Sequence, residues 1–336
     1  MVISRTPLRV SFFGGGTDYP VWYKNHGGMV ISASINKYTY ITVRYLPPFF
    51  PYNYRIRYTR QEYRKSLDEI VHPSVRECLR FLKLKKGVEI QHNADLPARS
   101  GIGSSSSFTV GLINALFALQ GNIINSRKLA LAAIYVEQNL IKENVGSQDQ
   151  TIVAYGGFNK IRFSNSKTFS VHPLKIDEVK LAILQKNLML FFTGFVRNAS
   201  DIAAEQISNT KNKTRSLSKM IGIAKEAEKV LFGKNTSVDD FGRLLHESWM
   251  LKKTLSNKIS TDSIDKIYEN AMQEGALGGK LLGAGGGGFM LLYIPEKFQK
   301  NILEKLKRLQ YVPFRFEFSG SRIIYKMPND MYESYE

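Results

Sequence analysis

Three glycine-rich segments, far apart along the chain, constrain its fold more than any other feature. They are GGGTDYP (14–20), PARSGIGSSSS (97–107) and KLLGAGGGGF (280–289). Each glycine costs chain entropy on folding, but it lets the backbone approach a neighbour or a ligand where a side chain would block the way. Folding alone gives little reason for three such loops. We therefore interpret them as binding loops rather than as plain turns.

The middle segment has the features of a phosphate-binding loop. The strand-like GVEIQHN (87–93) precedes it, and the apolar, helix-like FTVGLINALFAL (108–119) follows it. Free N–H groups at the start of a helix, together with the helix dipole, favour an anion, and the serines add neutral donors and an oxygen ligand for Mg²⁺. The alternative is a Gly/Ser loop that ends in a serine N-cap, which this segment alone does not exclude.

Two familiar nucleotide-binding motifs do not fit the glycine segments. The P-loop of NTPases requires a lysine after its last glycine, and the middle segment has none there. Gly283, Gly285 and Gly288 match G-x-G-x-x-G, but a Rossmann loop opens a helix, whereas this segment runs into the strand-like FMLLYI (289–294). We treat this match as a coincidence.

The length and the hydrophobic pattern predict an α+β fold in two lobes. The 336 residues exceed the ~250–300 at which one hydrophobic core stops growing. Strands and helices are mixed without strict alternation, which favours α+β with a seam near residue 180. The predicted strands are 2–13, 29–45, 53–59, 87–94, 188–195, 289–294 and 314–318. The predicted helices are 66–84, 105–119, 126–142 and several between 200 and 275.

The charge of the chain leaves two classes of partner open. There are 47 Lys and Arg against 29 Asp and Glu, a net charge of +18, which suits either nucleic acid or small anionic ligands. The segment YNYRIRYTRQEYRK (52–65) interleaves basic and aromatic residues, as single-stranded nucleic acid prefers. The same alternation is typical of a half-buried strand with a solvated face, which is the interpretation we adopt.

Cysteine content and hydropathy predict the compartment. Cys78 is the one cysteine, so an internal disulfide is impossible and a reducing compartment is expected. The N-terminus lacks an uninterrupted apolar stretch, and no apolar run approaches the ~18 residues that a membrane span requires. We expect a cytoplasmic protein without a membrane partner.

The three glycine segments, in this order, resemble the motifs of the GHMP kinases, a family that includes galactokinase, homoserine kinase and mevalonate kinase. TPLRVSFFGGGTDY (6–19) resembles the first motif, PARSGIGSSSS the phosphate loop and KLLGAGGGGF the third motif. A fourth element is similar to the galactokinase branch. In YVEQNLIKENVGSQDQ (135–150), Glu137 precedes a G-x-x-D-Q stretch that contains Asp149.

The resemblance implies a fold and two cofactors. It implies an N-terminal lobe (1–180) similar to ribosomal protein S5 domain 2, a ferredoxin-like C-terminal lobe (181–336) and an active site between them. It also implies ATP and Mg²⁺. The nucleotide-binding residues that it implies are Pro97, Arg99, Ser100, Gly101, Ile102, Gly103, Ser104, Ser105, Ser106, Gly285 and Gly286.

The resemblance further implies catalytic roles. Asp149 is the expected base for the acceptor hydroxyl, and Arg9 is expected to hold it ionised and to stabilise the transferring charge. Glu137 is expected to hold Mg²⁺ with Ser105, or with Ser104 beside it. Phosphoryl transfer depends mainly on positioning and charge neutralisation, so these residue types suit the reaction.

The acceptor is expected to be a sugar that already carries a phosphate. Galactokinase has G-E-H-T-D-Y where this chain has GGGTDY, and GGGTD with TGFVRNAS (193–200) is similar to the branch that phosphorylates D-glycero-D-manno-heptose 7-phosphate at the anomeric hydroxyl. The resemblance implies that Asp18, with Thr17 and Gly16, binds the sugar. Arg197 is our candidate for its phosphate.

Three alternatives remain at the level of sequence. One is another sugar 1-kinase of the family, for galactose or fucose. Another is a basic nucleic-acid-binding protein, which the pairing of Glu137 and Asp149 beside a phosphate loop argues against, because carboxylates repel a nucleic-acid backbone. The third is an inactive relative, although the expected catalytic residues are all present. We expect no nucleic-acid partner.

Overall fold

The structure is a computed structural model, and it describes residues 1–164, 169–194 and 199–327. The elements before residue 180 are β1 (Val2–Phe13), α1 (Pro20–His26), β2 (Gly28–Tyr45), β3 (Tyr54–Arg57), β4 (Gln61–Arg64), α2 (Pro73–Phe81), β5 (Val88–Ala94), α3 (Ser104–Leu119), α4 (Ser126–Tyr135), α5 (Gln148–Tyr155), β6 (Phe158–Phe163), β7 (Phe169–Pro173) and the start of α6 (Glu178–Asn187).

The later elements contain more helix than the earlier ones. They are β8 (Leu188–Phe192), α7 (Ala199–Asn209), α8 (Thr214–Phe232), α9 (Asp239–Lys253), α10 (Asp262–Gln273), β9 (Gly278–Leu281), β10 (Phe289–Tyr293), α11 (Glu296–Lys305), β11 (Gln310–Tyr311) and β12 (Arg322–Lys326). In the described part of the chain, no helix is both long and apolar enough to cross a membrane.

Two sheets organise the molecule. The first has the order β12-β1-β2-β5-β3-β4, and β6 pairs with the first half of β2 and with β7. The second is antiparallel with the order β11-β8-β10-β9. Taken in chain order this is 4-1-3-2, the ferredoxin-like order expected for the C-terminal lobe. The α+β prediction is therefore confirmed.

A shared core joins the two sheets and their helices. One face of β1 carries Leu8, Phe12 and Phe13, which pack in one buried cluster with residues of the second sheet. The Phe241 ring of α9 lies 5.3 Å from the Phe12 ring and 4.9 Å from the Phe13 ring. Because protein cores are close-packed, this contact fixes the position of one lobe against the other.

A bulge in β2 lies opposite the point where β1 changes the face that carries its polar side chains. Pro7 pairs with Tyr38 and Leu8 with Ile35, so two residues of β2, at 36 and 37, have no partner on β1. Before this point, the Ser4 hydroxyl donates to the Gly111 carbonyl of α3 at 2.8 Å. A bulge re-aims the side chains beside it. After this point, Arg9 projects to the start of the same helix rather than into the apolar core.

Three predicted elements differ from the structure. The predicted helix 66–84 is shorter in the structure, because α2 spans Pro73–Phe81 only. Residues 126–142 are not one α-helix, because α4 ends at Tyr135 and the chain continues as a π-helical turn, Val136–Leu140. Residues 314–318 form a single bridge between Phe316 and Ile35 rather than a strand. Phe314 and Phe316 alternate toward the core. Two backbone hydrogen bonds of 2.9 Å, from Asn36 N–H to the Arg315 carbonyl and from Glu317 N–H to the Ser34 carbonyl, flank the bridge. The period of two thus reflects an extended segment that pairs with β2 at one position only.

The basic segment 52–65 forms strands, as predicted. β3 and β4 pair with each other, and β3 joins the first sheet beside β5. The Arg55 guanidinium contacts the Glu89 carboxylate at 2.6 Å, so part of the positive charge of segment 52–65 is neutralised within the sheet.

The division of the chain into lobes at residue 180 stays a prediction. β12, from residues 322–326, pairs with β1 at the edge of the first sheet.

Candidate active site

A cavity of about 230 Å³ lies between the two lobes, and all four motif segments contribute to its wall. The sequence separates these segments by up to about 270 residues, and the fold brings them to one place. The lining residues fall in the ranges 9–19, 99–106, 143–150, 200–206 and 280–284, with Lys252.

The glycines of the phosphate loop allow close backbone contacts at the cavity. Gly103 precedes α3 with φ of 74°, and a Cβ there would lie 2.9 Å from Arg9 Cγ. Gly101 has φ of 81°, and a Cβ there would lie 2.5 Å from the Leu282 carbonyl oxygen. The phosphate loop is thus held between the first and the third motif, and a side chain at either glycine would separate them.

Two of the four consecutive serines shape the loop itself. Ser104 Oγ accepts a hydrogen bond from the Arg99 backbone N–H at 3.2 Å. Ser107 Oγ donates to the Pro7 carbonyl at 2.8 Å. These bonds fix the start of α3 against the loop and against β1. The first turn of a helix has N–H groups without intrahelical partners, and here that turn faces the cavity, where an anion would be favoured.

The other two serines lie beside a buried carboxylate. Ser105 is exposed to the cavity, whereas Ser106 is buried and its hydroxyl donates to Glu137 Oε2 at 3.0 Å. Gln150 donates to the same oxygen. Glu137 is fully buried on the π-helical turn. The direct hydrogen bond to Glu137 therefore comes from Ser106, and the pairing of Ser105 with Glu137 stays a prediction.

Glu137 has the features of a cation ligand. Burial and the negative charge of Glu143 raise its pKa to about 7. Its Oε1 atom is buried and has no hydrogen-bond partner among the residues that the structure describes. An uncompensated buried carboxylate oxygen is costly, and a bound cation removes that cost. The residues present thus fit a hard cation such as Mg²⁺, with Glu137 and a serine hydroxyl as oxygen ligands.

Arg9 and Asp149 form a buried, two-point ion pair. Arg9 Nε donates to Asp149 Oδ1 at 2.8 Å and Nη2 donates to Oδ2 at 2.5 Å, while Nη1 donates to the Gly101 carbonyl at 2.5 Å. The Arg9 side chain is 4% exposed and the Asp149 side chain 24% exposed. The carboxylate is therefore held in a fixed orientation yet remains accessible from the cavity, as a base for a bound substrate requires.

Asp18 lies beneath the loop that leads to Asp149. Its carboxylate accepts hydrogen bonds from the Gly16 N–H at 3.0 Å and the Gln148 N–H at 3.3 Å. A Cβ on Gly146 would lie 1.8 Å from Asp18 Oδ2. Burial and the negative charge of Asp149 raise the pKa of Asp18 to about 6. Gly16 and Asp18 line the cavity beside the base, as a binding site for acceptor hydroxyls would need.

The raised pKa of Asp18 predicts a pH-dependent difference in stability between the wild type and Asp18→Asn. Between pH 4 and 6 the folded wild type binds more protons than the unfolded chain, so its free energy of unfolding falls as pH rises. A shift from 3.8 to about 6 corresponds to about 3 kcal/mol. Denaturant titrations at pH 4 and 7 should show the Asn variant gaining up to that amount relative to the wild type. If the difference in unfolding free energy between the two proteins were the same at both pH values, Asp18 would not have the raised pKa described here.

Several predicted residues lie behind the cavity wall. Thr17 is buried, and its hydroxyl donates to the Gly14 carbonyl at 2.7 Å, which shapes the first glycine loop. Ser100 and Ile102 are buried beneath the phosphate loop, while Pro97 is exposed at its start. None of these four side chains is among the residues that line the cavity in the described part of the chain. Their roles in binding stay predictions.

The third glycine segment contributes its first residues to the cavity. Gly283 and Ala284 line it. Gly286 N–H donates to the Ile259 carbonyl at 2.9 Å, and a Cβ on Gly285 would lie 2.7 Å from Ile259 Cα. These later glycines therefore support the loop from behind, and nucleotide contacts by Gly285 and Gly286 stay predictions. Arg197 lies outside the described residues.

The structure adds cavity residues that the sequence did not indicate. Gln148 lines the cavity and accepts a hydrogen bond from the Ser11 hydroxyl at 2.7 Å. Lys252, at the end of α9, and Lys280, on β9, also line the cavity. Lys280 is the first residue of the third motif, KLLGAGGGGF, so the sequence could have indicated that it lies near the site. Lys252 lies in a helix without any motif, and only the fold brings it to the site.

Family models match both parts of the chain. Residues 70–157 match the GHMP kinases N terminal domain, and residues 223–312 match the GHMP kinases C terminal domain. The first range contains the phosphate loop, Glu137 and Asp149, and the second contains the third glycine motif.

Similar proteins cover nearly the whole chain. The D-glycero-alpha-D-manno-heptose 7-phosphate kinase of Campylobacter jejuni is 30% identical over 94% of this chain and 96% of its own length. The galactokinase of Pyrococcus furiosus is 24% identical over 93% of this chain and 94% of its own length. A crystal structure of a D-glycero-D-manno-heptose 1-phosphate kinase from Bacteroides thetaiotaomicron superposes with a TM-score of 0.79 at 23% identity, over 98% of this chain and all of that chain. With both domain models matched and a relative of this identity along its length, the chain belongs to the GHMP kinase family.

Proposed function

We propose that this protein transfers the γ-phosphoryl group of ATP to the anomeric hydroxyl of D-glycero-D-manno-heptose 7-phosphate. The observation that carries the proposal is the Arg9–Asp149 pair, held by hydrogen bonds of 2.5–2.8 Å at the phosphate loop of a GHMP kinase. A base fixed beside a phosphate loop suits transfer to a hydroxyl group.

The proposed phosphoryl transfer begins with deprotonation of the acceptor hydroxyl by Asp149. The acceptor hydroxyl gives its proton to the Asp149 carboxylate while its oxygen forms a bond to the γ-phosphorus. The bond between that phosphorus and the bridging oxygen of ATP breaks, and ADP leaves with the electron pair. Arg9 orients the base and adds positive charge, and the start of α3 offers N–H donors to the phosphates.

Glu137 and a serine of the phosphate loop would hold Mg²⁺. When bound, the ion supplies charge neutralisation for the phosphate oxygens. Ser106 already contacts Glu137, and Ser105 faces the cavity. Magnesium in such sites uses few protein oxygens because the phosphates supply others. One carboxylate with one hydroxyl is therefore a sufficient protein contribution.

Substitution of Glu137 tests the metal assignment. Glu137→Gln keeps the size of the side chain and one acceptor oxygen for Ser106 and Gln150, but it replaces the other oxygen by an NH₂ group and removes the charge. The Mg²⁺ concentration for half-maximal rate should therefore rise about tenfold or more. The control is Glu228→Gln, which removes a partly buried glutamate that pairs with Lys160 away from the cavity. Equal magnesium dependence in the Glu137 variant and the wild type would remove Glu137 from the metal site.

The heptose acceptor is supported by sequence similarity along the chain. The Campylobacter jejuni relative, named for heptose 7-phosphate, is 30% identical over 94% of this chain. The net charge of +18 also suits an acceptor that carries its own phosphate. Arg197, outside the described residues, stays a sequence-based candidate for that phosphate. The alternative is galactose or fucose. The Pyrococcus furiosus galactokinase is 24% identical to this chain, and a bifunctional fucokinase/GDP-fucose pyrophosphorylase of Arabidopsis thaliana is 26% identical, although this chain covers only 30% of that protein.

A steady-state comparison of acceptors tests the proposal. With ATP and Mg²⁺, kcat/KM is measured for heptose 7-phosphate, free heptose, galactose and fucose. A charge-assisted bond to a phosphate contributes ~1.5–3 kcal/mol, or about tenfold to a hundredfold, so the phosphorylated heptose should exceed the free sugar by at least that factor. Equal values for the two heptoses, or a preference for galactose or fucose, would refute the acceptor and leave the kinase assignment intact.

A further inference from the structure

Two lysines lie buried in the wall of the cavity, and the proposed transfer step does not use them. Lys252 at the end of α9 is 4% exposed, and Lys280 on β9 is 2% exposed. Both belong to the C-terminal lobe, and both line the cavity. Lysine is almost never fully buried without a partner, so these positions need an explanation.

The hydrogen bonds of both ammonium groups go to backbone carbonyls. Lys252 Nζ donates to the Leu281 carbonyl at 3.2 Å and to the Gly283 carbonyl at 2.5 Å. Lys280 Nζ donates to the Phe12 carbonyl at 2.9 Å. In the described ranges, no carboxylate lies within 4.0 Å of either nitrogen. An ammonium group has three donors, so both lysines keep donors for a ligand.

Among the described residues, basic and acidic side chains meet around the pair without a direct ion pair to either lysine. Arg9 from β1, Asp18 and Asp149 act on the two lysines, and Arg99 and Glu143 line the same cavity. Burial and the positive charge of Arg9 lower the pKa of Lys252 to about 7, although Asp18 and Asp149 oppose this shift. Burial and the charges of Lys252 and Arg9 also lower the pKa of Lys280. A bound anion would complete this charge pattern.

We propose that Lys252 and Lys280 form a cationic subsite that binds the phosphate group of the acceptor. The assignment rests on the proposed function and names the residues that distinguish a phosphorylated sugar from a free one. Lys280 Nζ is hydrogen-bonded to the Phe12 carbonyl, at the end of β1 just before the glycine loop whose Gly16 and Asp18 line the cavity. The subsite therefore lies beside the loop that would bind the acceptor hydroxyls. Two ammonium groups with free donors match a dianionic phosphate.

Binding at this subsite should be coupled to proton uptake. Near pH 7.5 part of the Lys252 population is neutral, and a dianion beside it favours the charged form. Arg9, Asp18 and Asp149 also act on Lys252, and the pKa of Lys280 beside it is lowered as well, so a dianion would favour the charged form of both lysines. A phosphorylated acceptor should therefore bind with uptake of protons, whereas a neutral sugar should not.

The kinetic test compares single variants with a matched control. Lys252→Met and Lys280→Met should each lower the ratio of kcat/KM for heptose 7-phosphate to that for free heptose by about tenfold to a hundredfold. Lys253→Met is the control, because Lys253 is adjacent on α9 but pairs with Asp265 at 3.1 Å outside the cavity. An unchanged ratio in both cavity variants overturns the subsite. So does an equal loss on both sugars, which would assign the lysines to the transferring phosphoryl group.

A binding measurement separates this proposal from the acceptor assignment. With the nucleotide site filled by a non-hydrolysable ATP analogue and Mg²⁺, inorganic phosphate is titrated calorimetrically at pH 8.5, where it is already a dianion, in two buffers of different ionisation enthalpy. The wild type and Lys253→Met should bind phosphate with proton uptake, and Lys252→Met should bind it at least about tenfold more weakly. Phosphate binding of this kind without turnover of heptose 7-phosphate would refute the acceptor and keep the subsite. If Lys252→Met bound inorganic phosphate as tightly as the wild type, the proposed subsite would be refuted.

Removal of Lys252 takes away its hydrogen bonds to the Leu281 and Gly283 carbonyls, so stability needs a check. Lys252→Gln removes the charge and keeps an N–H donor for the Gly283 carbonyl, and it should reproduce the effect of Lys252→Met on the acceptor ratio. Thermal unfolding of each variant identifies any loss of folded protein. If the Met variant is unfolded, the Gln and Lys280→Met variants decide the result.

Discussion

Asp149→Asn should bind ATP nearly as well as the wild type and lose about 10²–10⁴ of its turnover, the usual contribution of a positioned base. The carboxylate accepts two hydrogen bonds from Arg9 and is reachable from the cavity. Asparagine keeps the size of the side chain but cannot accept a proton from the acceptor hydroxyl. Single-turnover kinetics, with nucleotide affinity measured separately, distinguishes a lost chemical step from lost binding.

The matched control for this variant is Asp240→Asn. Asp240 also pairs with an arginine, Arg243, at 2.5 Å, but on the exposed surface of α9. The Asp240→Asn variant should retain wild-type turnover, because exposed ion pairs contribute little to stability and neither Asp240 nor Arg243 lines the cavity. Near-normal turnover of Asp149→Asn, with the protein folded, would show that another group accepts the proton.

Gly146→Ala should lower kcat/KM for the acceptor about a hundredfold, although it adds a single methyl group. A Cβ at this position would lie 1.8 Å from Asp18 Oδ2, so either the Asp18 carboxylate or the loop of residues 143–148 must move. That loop leads directly into Asp149 at the start of α5. A displacement of about 1 Å in a catalytic arrangement can cost about 10²-fold in rate. The glycine of the G-x-x-D-Q motif thus has a steric explanation.

Gly222→Ala is the control for Gly146→Ala. Gly222 lies within α8, and a Cβ there would meet nothing within 4 Å. Alanine is the better helix former by about 1 kcal/mol, so this variant should be as active as the wild type and slightly more stable. If Gly146→Ala retained wild-type kcat/KM, then the contact between this loop and Asp18 would have no role in acceptor binding.

The motif residues were predictable because they lie in short segments whose composition shows their chemistry. The phosphate loop, Glu137 and Asp149 are recognisable within a few residues of sequence. The structure places the phosphate loop and Asp149 on one cavity, with Glu137 buried behind Ser106 of that loop. The order of the second sheet also follows from the family resemblance. Local patterns of this kind need no knowledge of distant contacts.

The remaining features depend on tertiary contacts. Nothing near Lys252 distinguishes it from Lys253, yet one is buried in the cavity and the other pairs with Asp265. The π-helical turn of Glu137 has the same apolar periodicity as the α-helix before it, so periodicity could not locate the change. Residues 314–318 alternate like a strand, but the backbone of the neighbouring β2 offers them only one bridge.

The proposed transfer is tested most directly by ³¹P NMR of a reaction that contains the protein, ATP, Mg²⁺ and D-glycero-D-manno-heptose 7-phosphate. We expect a second phosphate ester, coupled to the proton on carbon 1, that forms at the same rate as ADP. It should be absent when Asp149→Asn replaces the wild type. A folded, nucleotide-binding wild type that forms no phosphate ester at carbon 1, or that esterifies another hydroxyl, would contradict the assignment.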